Sequence, residues 1–268
     1  MTTPELSGPV DVGALVDDFE RDGHVCVRGL ASADEIAAFR PALEATAMAQ
    51  GLDDRPMAER DTYSQAFLQV HNLWERDETC RRFVFAPRFA AVAATLLGVD
   101  GVRLYHDQAL FKEPGGGRTP WHQDMNYWPL DTDRTVTMWM PLVDIPAEVG
   151  SMSFASGTHR LGDVDAGDIS DESEAAIEER ISSGGLPIAT HGPMAAGDAT
   201  FHHGWVLHGA GPNPTETMRS VMTVIYVADG VRISEPTERQ RFDLEMWLGG
   251  NGPGDAVDSA MNPLLWPV

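Results

Sequence analysis

Residues 198–228 read DATFHHGWVLHGAGPNPTETMRSVMTVIYVA. Two runs rich in Val, Thr, Phe and Trp flank a segment, 209–217, dense in Gly, Pro and Asn. β-Branched and aromatic runs split by turn residues predict strands. We therefore expect strands over 198–208 and 219–228, with 209–217 as a hairpin-type loop that sets His208 and Arg219 across from each other on adjacent strands. The same texture recurs upstream at 102–111, 119–124, 135–143, 150–155 and 186–190. Short strands at this spacing predict a β-sandwich or barrel, not a parallel sheet with crossover helices.

Before residue 102 the pattern is helical. Val12, Leu15, Val16 and Phe19 share one face of a helix ending at Gly23, and His24-Val25-Cys26-Val27 is a short strand closed by Gly29. Ser32 and Glu35 fit a capping box, with Ile36, Phe39 and Leu43 as the buried stripe behind it. A further helix runs from about Phe89 to Leu97 and stops at Gly98. The chain is expected to be one domain over 1–268. It divides into a mainly helical part (1–101), a β core (102–230) and a C-terminal extension (231–268). Eight acidic residues between Asp163 and Glu179 mark an insertion over 161–185. It reads as a solvated excursion between strands, with a lid over a pocket as the alternative.

Of 268 residues, 43% are hydrophobic and 22% charged, which excludes wholesale disorder. Nineteen Lys and Arg face 41 Asp and Glu, a formal charge of −22. Such a surface repels phosphate backbones and anionic lipid, so no nucleic-acid or membrane partner is expected, and a small molecule is. Two cysteines exclude a disulfide scaffold and suit a reducing compartment. The first residues lack the basic and apolar regions of a signal peptide, and no apolar run is long enough to span a bilayer. The expectation is cytoplasmic, as a monomer or homodimer.

Trp121-His122-Gln123-Asp124 carries the first chemical signal. On an extended strand residues i and i+2 point to one face, so His122 and Asp124 can offer a nitrogen and a carboxylate oxygen to one metal. His208 supplies a third ligand from a distant strand. His202 and His203 compete for that role, but neither is followed at hairpin distance by a basic residue as His208 is by Arg219. Two histidines and one carboxylate form the facial triad of non-haem Fe(II) oxygenases, and an adjacent arginine can fork onto a dicarboxylate.

These residues, with Phe19-Glu20-Arg21-Asp22-Gly23, Phe111-Lys112-Glu113-Pro114-Gly115, Gly150-Ser151-Met152, Gly157-Thr158-His159 and Gly197-Asp198 in this order, resemble the phytanoyl-CoA dioxygenase family of Fe(II)/2-oxoglutarate oxygenases. The resemblance implies a mainly β fold with flanking helices. Its core would be a double-stranded β-helix, a cupin-like jelly roll, with the N-terminal helices on one side. It implies that His122, Asp124 and His208 bind Fe(II) and that Arg219 holds the distal carboxylate of 2-oxoglutarate. O2 would be the second cosubstrate, with no catalytic residue beyond the metal centre. Trp139 sits where the family often places an aromatic beside the cosubstrate. Alternation then turns Thr137 and Thr135 inward, and Leu104, His106 and Gln108 share a face on the first long strand. Gln108 is the expected hydrogen-bond donor to the cosubstrate.

The implied reaction decarboxylates 2-oxoglutarate to succinate and takes hydrogen from an organic substrate. Asp124 argues against halogenation, because related halogenases carry a small residue there. Hydroxylation is the default, with epimerisation or oxidative ring closure as variants. An acidic chain with a single lysine, Lys112, is a poor acyl-CoA receptor. The composition suits a bacterial, actinomycete-like enzyme that tailors an antibiotic-type secondary metabolite, a polyketide or its sugar. His71, His106, Met125, Asn126 and Trp128 are candidates to face that substrate. The rival readings are a cupin-like isomerase or hydrolase without 2-oxoglutarate and a non-catalytic jelly-roll binding protein.

Overall fold

The computed structural model describes residues 4–268 except 52, 54, 147–148 and 165–170. The amino-terminal part opens with α1 (Gly13–Asp22), β1 (His24–Val27) and α2 (Ala33–Met48). Gly23 ends α1 in the left-handed conformation, and the Ser32/Glu35 capping box starts α2. Then follow α3 (Thr62–Ala66), β2 (Leu68–His71), α4 (Glu78–Val84) and α5 (Pro87–Leu97). Strand β2 was not anticipated in a stretch that reads as helical. It pairs with the first long strand, and that pairing decides its conformation.

The β core contains β3 (Val102–Lys112), β4 (Thr119–His122), β5 (Thr135–Pro141) and β6 (Met152–Ala155), then α6 (Asp171–Gly184) and β7 (Ile188–Thr190). It closes with β8 (Ala199–His203), β9 (His208–Ala210) and β10 (Arg219–Ala228), followed by α7 (Arg241–Trp247) and β11 (Leu264–Trp266). The larger sheet runs β1-β8-β5-β10-β3-β11, with β2 also on β3. The smaller runs β4-β9-β6-β7, and all registered pairs are antiparallel. Two antiparallel sheets with flanking helices form the jelly roll.

Two expectations about the connections fail. The run 198–208 is two strands in different sheets, broken at Gly204, where a Cβ would collide with Thr135 Oγ1 and Met125. The segment 209–217 is no hairpin either. It carries the chain from β9 in the small sheet to β10 in the large one, so His208 and Arg219 meet across the sandwich and not within a ladder.

Strand β10 is buried along its whole length because both its faces are covered. Met222, Val224 and Tyr226 pack against the helical layer with Phe39, Phe83 and Phe89, while Thr223 and Ile225 turn toward the space between the sheets. Within the acidic insertion, α6 buries Ile177 and Ile181 against Val164 and Leu207, so this helix is packed onto the core. Residues 165–170, including Asp165 and Asp168, lie outside the described residues. Cys26 and Cys80 are both free thiols. Among the described residues no helix is long and apolar enough to cross a membrane.

Candidate active site

Strand β4 stops at His122, two residues earlier than expected, and Asp124 opens a 3-10 turn through Asn126. Gln123 keeps an extended backbone (φ −121°, ψ 125°), so His122 and Asp124 still point the same way. The Gln123 side chain points away and is fully buried. It donates to the carbonyls of Gly162 (2.8 Å) and Trp205 (2.6 Å) and accepts from the Val164 amide (3.0 Å). Strand β9 sets His208 directly opposite His122.

His122 Nε2 and His208 Nε2 each lie 3.6 Å from Asp124 Oδ1. The ligating atoms of these three residues fall within 4.8 Å of one another, the spacing of a group able to hold a metal ion. Each imidazole donates its Nδ1–H to a backbone carbonyl, Pro120 for His122 (2.8 Å) and Val206 for His208 (3.0 Å). Those bonds select the tautomer that leaves the Nε2 lone pair facing the cluster. Burial pushes the His208 imidazole down to about 4, so it is neutral and ready to ligate at pH 7.

Asp124 is held from behind. The Thr137 hydroxyl donates to Oδ2 at 3.0 Å, and His202 Nε2 lies 3.4 Å from the same oxygen, leaving Oδ1 to the two histidines. Burial raises this carboxyl, but the imidazoles of His208, His202 and His122 reverse the effect and hold it below the usual carboxylate range. His202, one competitor for third ligand, therefore stands behind the cluster and not in it. His203, the other, points elsewhere and accepts a hydrogen bond from the Trp205 amide.

Arg219 begins β10 with its guanidinium facing a cavity of about 520 Å³ that His122, Asp124 and His208 also line. It is 3% exposed. Nη1 donates to the Gly150 carbonyl (2.8 Å), Nε has no partner, and the guanidinium carbon sits 5.4 Å from the Trp139 ring centroid. Burial lowers its pKa to about 10, which leaves it charged. No carboxylate among the described residues pairs with it. A buried, incompletely bonded cation is costly unless a ligand anion completes it. Two imidazoles and a carboxylate are a donor set for iron(II), and this guanidinium suits a carboxylate. The residues fit both groups.

Of the other expected residues, Thr137, Trp139, Gln108, His106, His71 and Trp128 line the cavity. The Thr137 hydroxyl is committed to Asp124, and Gln108 Oε1 accepts from Gln69. Leu104 does not share the face of His106 and Gln108. A β-bulge between Ile225 and Tyr226 shifts the β3 register, turning Leu104 into the helix-side core and Tyr105 toward the cavity side. Met125 and Asn126 also leave the wall. The 3-10 turn sends Met125 into the core, where its sulfur accepts from the Thr135 hydroxyl, and leaves Asn126 buried behind it.

Sequence reasoning missed the far wall altogether. Asp243 and Trp247 of α7 line the cavity, with Phe242 and Arg239 beside them. His71 stacks on the Trp247 ring (4.7 Å, 26°) and meets His106 edge-on (5.4 Å).

A family model described as phytanoyl-CoA dioxygenase (PhyH) matches residues 19–221. The ectoine dioxygenase of Stutzerimonas stutzeri is 27% identical over 233 residues, which span 79% of this chain and 75% of that protein. That of Streptomyces coelicolor is 26% identical over 251 residues, 84% of this chain and 80% of its own. Among solved structures, the non-heme alpha ketoglutarate dependent carbocyclase SnoK from nogalamycin biosynthesis superposes with a TM-score of 0.77 at 25% identity, covering 96% of this chain and 99% of SnoK. The epimerase SnoN, in complex with Fe3+, alpha ketoglutarate and nogalamycin RO, gives 0.75 at 29% identity over 94% of this chain and 97% of SnoN.

Proposed function

The chain belongs to the phytanoyl-CoA dioxygenase family and is an Fe(II)/2-oxoglutarate-dependent dioxygenase; from that premise we propose that His122, Asp124 and His208 hold the iron, that Arg219 receives the distal carboxylate of 2-oxoglutarate, and that the substrate is a secondary metabolite of the polyketide type or its attached sugar. The observation that carries the site assignment is the buried guanidinium without a counter-ion, in the same cavity as a two-histidine, one-carboxylate cluster. The likeness to SnoK and SnoN, named for carbocyclisation and epimerisation in nogalamycin biosynthesis, supports the substrate class.

Iron held by His122, Asp124 and His208, with 2-oxoglutarate and O2, would supply the chemistry to remove hydrogen from carbon at the cost of oxidative decarboxylation of 2-oxoglutarate to succinate and CO2. The chain's own residues do the holding. The carbonyls of Pro120 and Val206 fix the two imidazoles, and Thr137 with His202 fixes the carboxylate between them. Arg219, gripped by the Gly150 carbonyl and resting on Trp139, presents its remaining N–H groups to a carboxylate from a buried position. Ile225, Trp128 and the residues of α7 close the cavity beyond the metal. How they hold the substrate decides between hydroxylation, epimerisation and ring closure.

The test is the anaerobic visible spectrum of the full chain on adding Fe(II) and then 2-oxoglutarate. A charge-transfer band that requires both additions is expected. Folded protein without that band overturns the site assignment, and a metal-dependent activity indifferent to 2-oxoglutarate would favour an isomerase or hydrolase instead.

A further inference from the structure

The cavity has two ends of different chemistry. Arg219, Thr223 and Ile225 all line it from β10, and six residues of extended strand separate the first from the last by roughly 20 Å. At the Arg219 end the wall is cationic. At the Ile225 end α7 presents Asp243 and Trp247, four residues apart and so on one helix face. Each of the two is 7% exposed, and both line the cavity. His71 backs Trp247, while Trp128 and Phe242 extend the aromatic wall.

The Asp243 carboxylate has one hydrogen bond, accepted by Oδ2 from the Tyr105 hydroxyl at 3.2 Å. Among the described residues no cation forms an ion pair with it. A carboxylate taken from water with a single hydrogen bond is costly, and the cost is relieved when a cation arrives. Indole and phenyl faces attract the same kind of ligand. A chain of net charge −22 also raises the local concentration of cations and lowers that of anions.

We propose that this end of the cavity binds a protonated or quaternary amine of the substrate, with Asp243 as counter-charge and Trp247, Trp128 and Phe242 as the surrounding π-faces. The substrate class is thereby narrowed to an amine-bearing organic molecule, such as an amino sugar or an alkylamine on an apolar ring system. The amine is held at the opposite end from the 2-oxoglutarate carboxylate. The inference rests on the proposed function, since it assigns the substrate end of the same cavity. Burial lifts the Asp243 carboxyl to about 7, so the unliganded site resists its own charge, and a bound ammonium removes that resistance.

The experiment is isothermal titration calorimetry of the full chain at pH 8 and low salt with two probes, benzyltrimethylammonium and benzyl alcohol. Wild type should bind the cation at least about tenfold more tightly than the alcohol. Asp243→Asn, which retains an acceptor for Tyr105, should cut that preference to about threefold or less. Trp247→Leu should weaken the cation more than the alcohol. Equal binding of the two probes by wild type overturns the proposal without recourse to any variant, and so does a folded Asp243→Asn protein that keeps the tenfold preference. The anaerobic 2-oxoglutarate band is recorded on the same wild-type sample. A band without cation preference sinks this inference and leaves the oxygenase site intact, whereas cation preference without the band does the reverse.

Discussion

Two carboxylates, Asp243 buried and Asp124 half-buried, face the same cavity, and their surroundings treat them oppositely. Asp124 receives the Thr137 hydroxyl and stands among three imidazoles, which outweigh burial and keep it ionised. Asp243 has only Tyr105 to oppose burial, and its carboxyl rises to about 7. The first environment surrounds its carboxylate with a hydroxyl and imidazoles, and backbone carbonyls fix the two histidines that face it. The second is left short of one positive charge. A site that positions a permanent cofactor is finished by the protein itself, whereas a site for a transient ligand leaves the last interaction to the ligand.

The largest effect should come from removing the carboxylate of the finished site. Asp124→Ala should abolish the Fe(II)- and 2-oxoglutarate-dependent band and lower succinate formation by more than about 1,000-fold, because two imidazoles alone are a poor iron(II) site. Retention of the band by the variant would break the contrast at its stronger end. Next comes Arg219→Lys. The charge survives but the fork that matches a carboxylate is lost, so the apparent affinity for 2-oxoglutarate should fall about 10–100-fold, read from the band's titration midpoint. Unchanged affinity would mean that Arg219 does not receive the cosubstrate.

The two ends also differ in how far they could be read from the sequence. His122 and Asp124 could be set on one face because they lie two residues apart on extended backbone, whereas the hairpin that was to pair His208 with Arg219 does not form and the two instead line one cavity from different sheets. The helices capped at Gly23, Ser32 and Gly98 were legible from local chemistry alone. Leu104 was misread because a bulge reverses alternation without any residue that announces it. The hairpin expected over 209–217 failed because a turn-rich segment does not say whether its flanking strands share a sheet. Asp243 and Trp247 were invisible because α7 reaches the cavity only through tertiary packing. Strand β2 depended on β3 in the same way.

A smaller effect separates the ligand from its support. Thr137→Val keeps the shape of the side chain and removes the hydroxyl that holds Asp124 Oδ2. Outer-shell partners of metal ligands typically contribute about 10–100-fold in metal affinity. The variant should need roughly that much more Fe(II) to reach half-maximal band intensity, with the 2-oxoglutarate midpoint unchanged at saturating iron. An equal loss in both titrations would indicate general disruption of β5 and not the release of one carboxylate oxygen.

The smallest effect concerns the unfinished end and runs against the usual expectation that a buried polar residue is kept for stability. The folded-state pKa of Asp243 lies above the ordinary value of 3.8, at about 7, so the folded chain holds this proton more tightly than the unfolded chain does. Its contribution is therefore fully present below about pH 4 and is lost as the pH rises through about 7. Asp243→Asn cannot ionise and escapes that loss. Between pH 5 and pH 8 the stability of the variant relative to wild type should thus move in its favour by about 1 kcal/mol, less than the full shift implies because the cavity admits water. Urea denaturation of the metal-free protein at the two pH values measures it. If wild type is instead favoured more at pH 8, the ionised Asp243 is already satisfied by the protein, and the two carboxylates are not the opposites their surroundings describe.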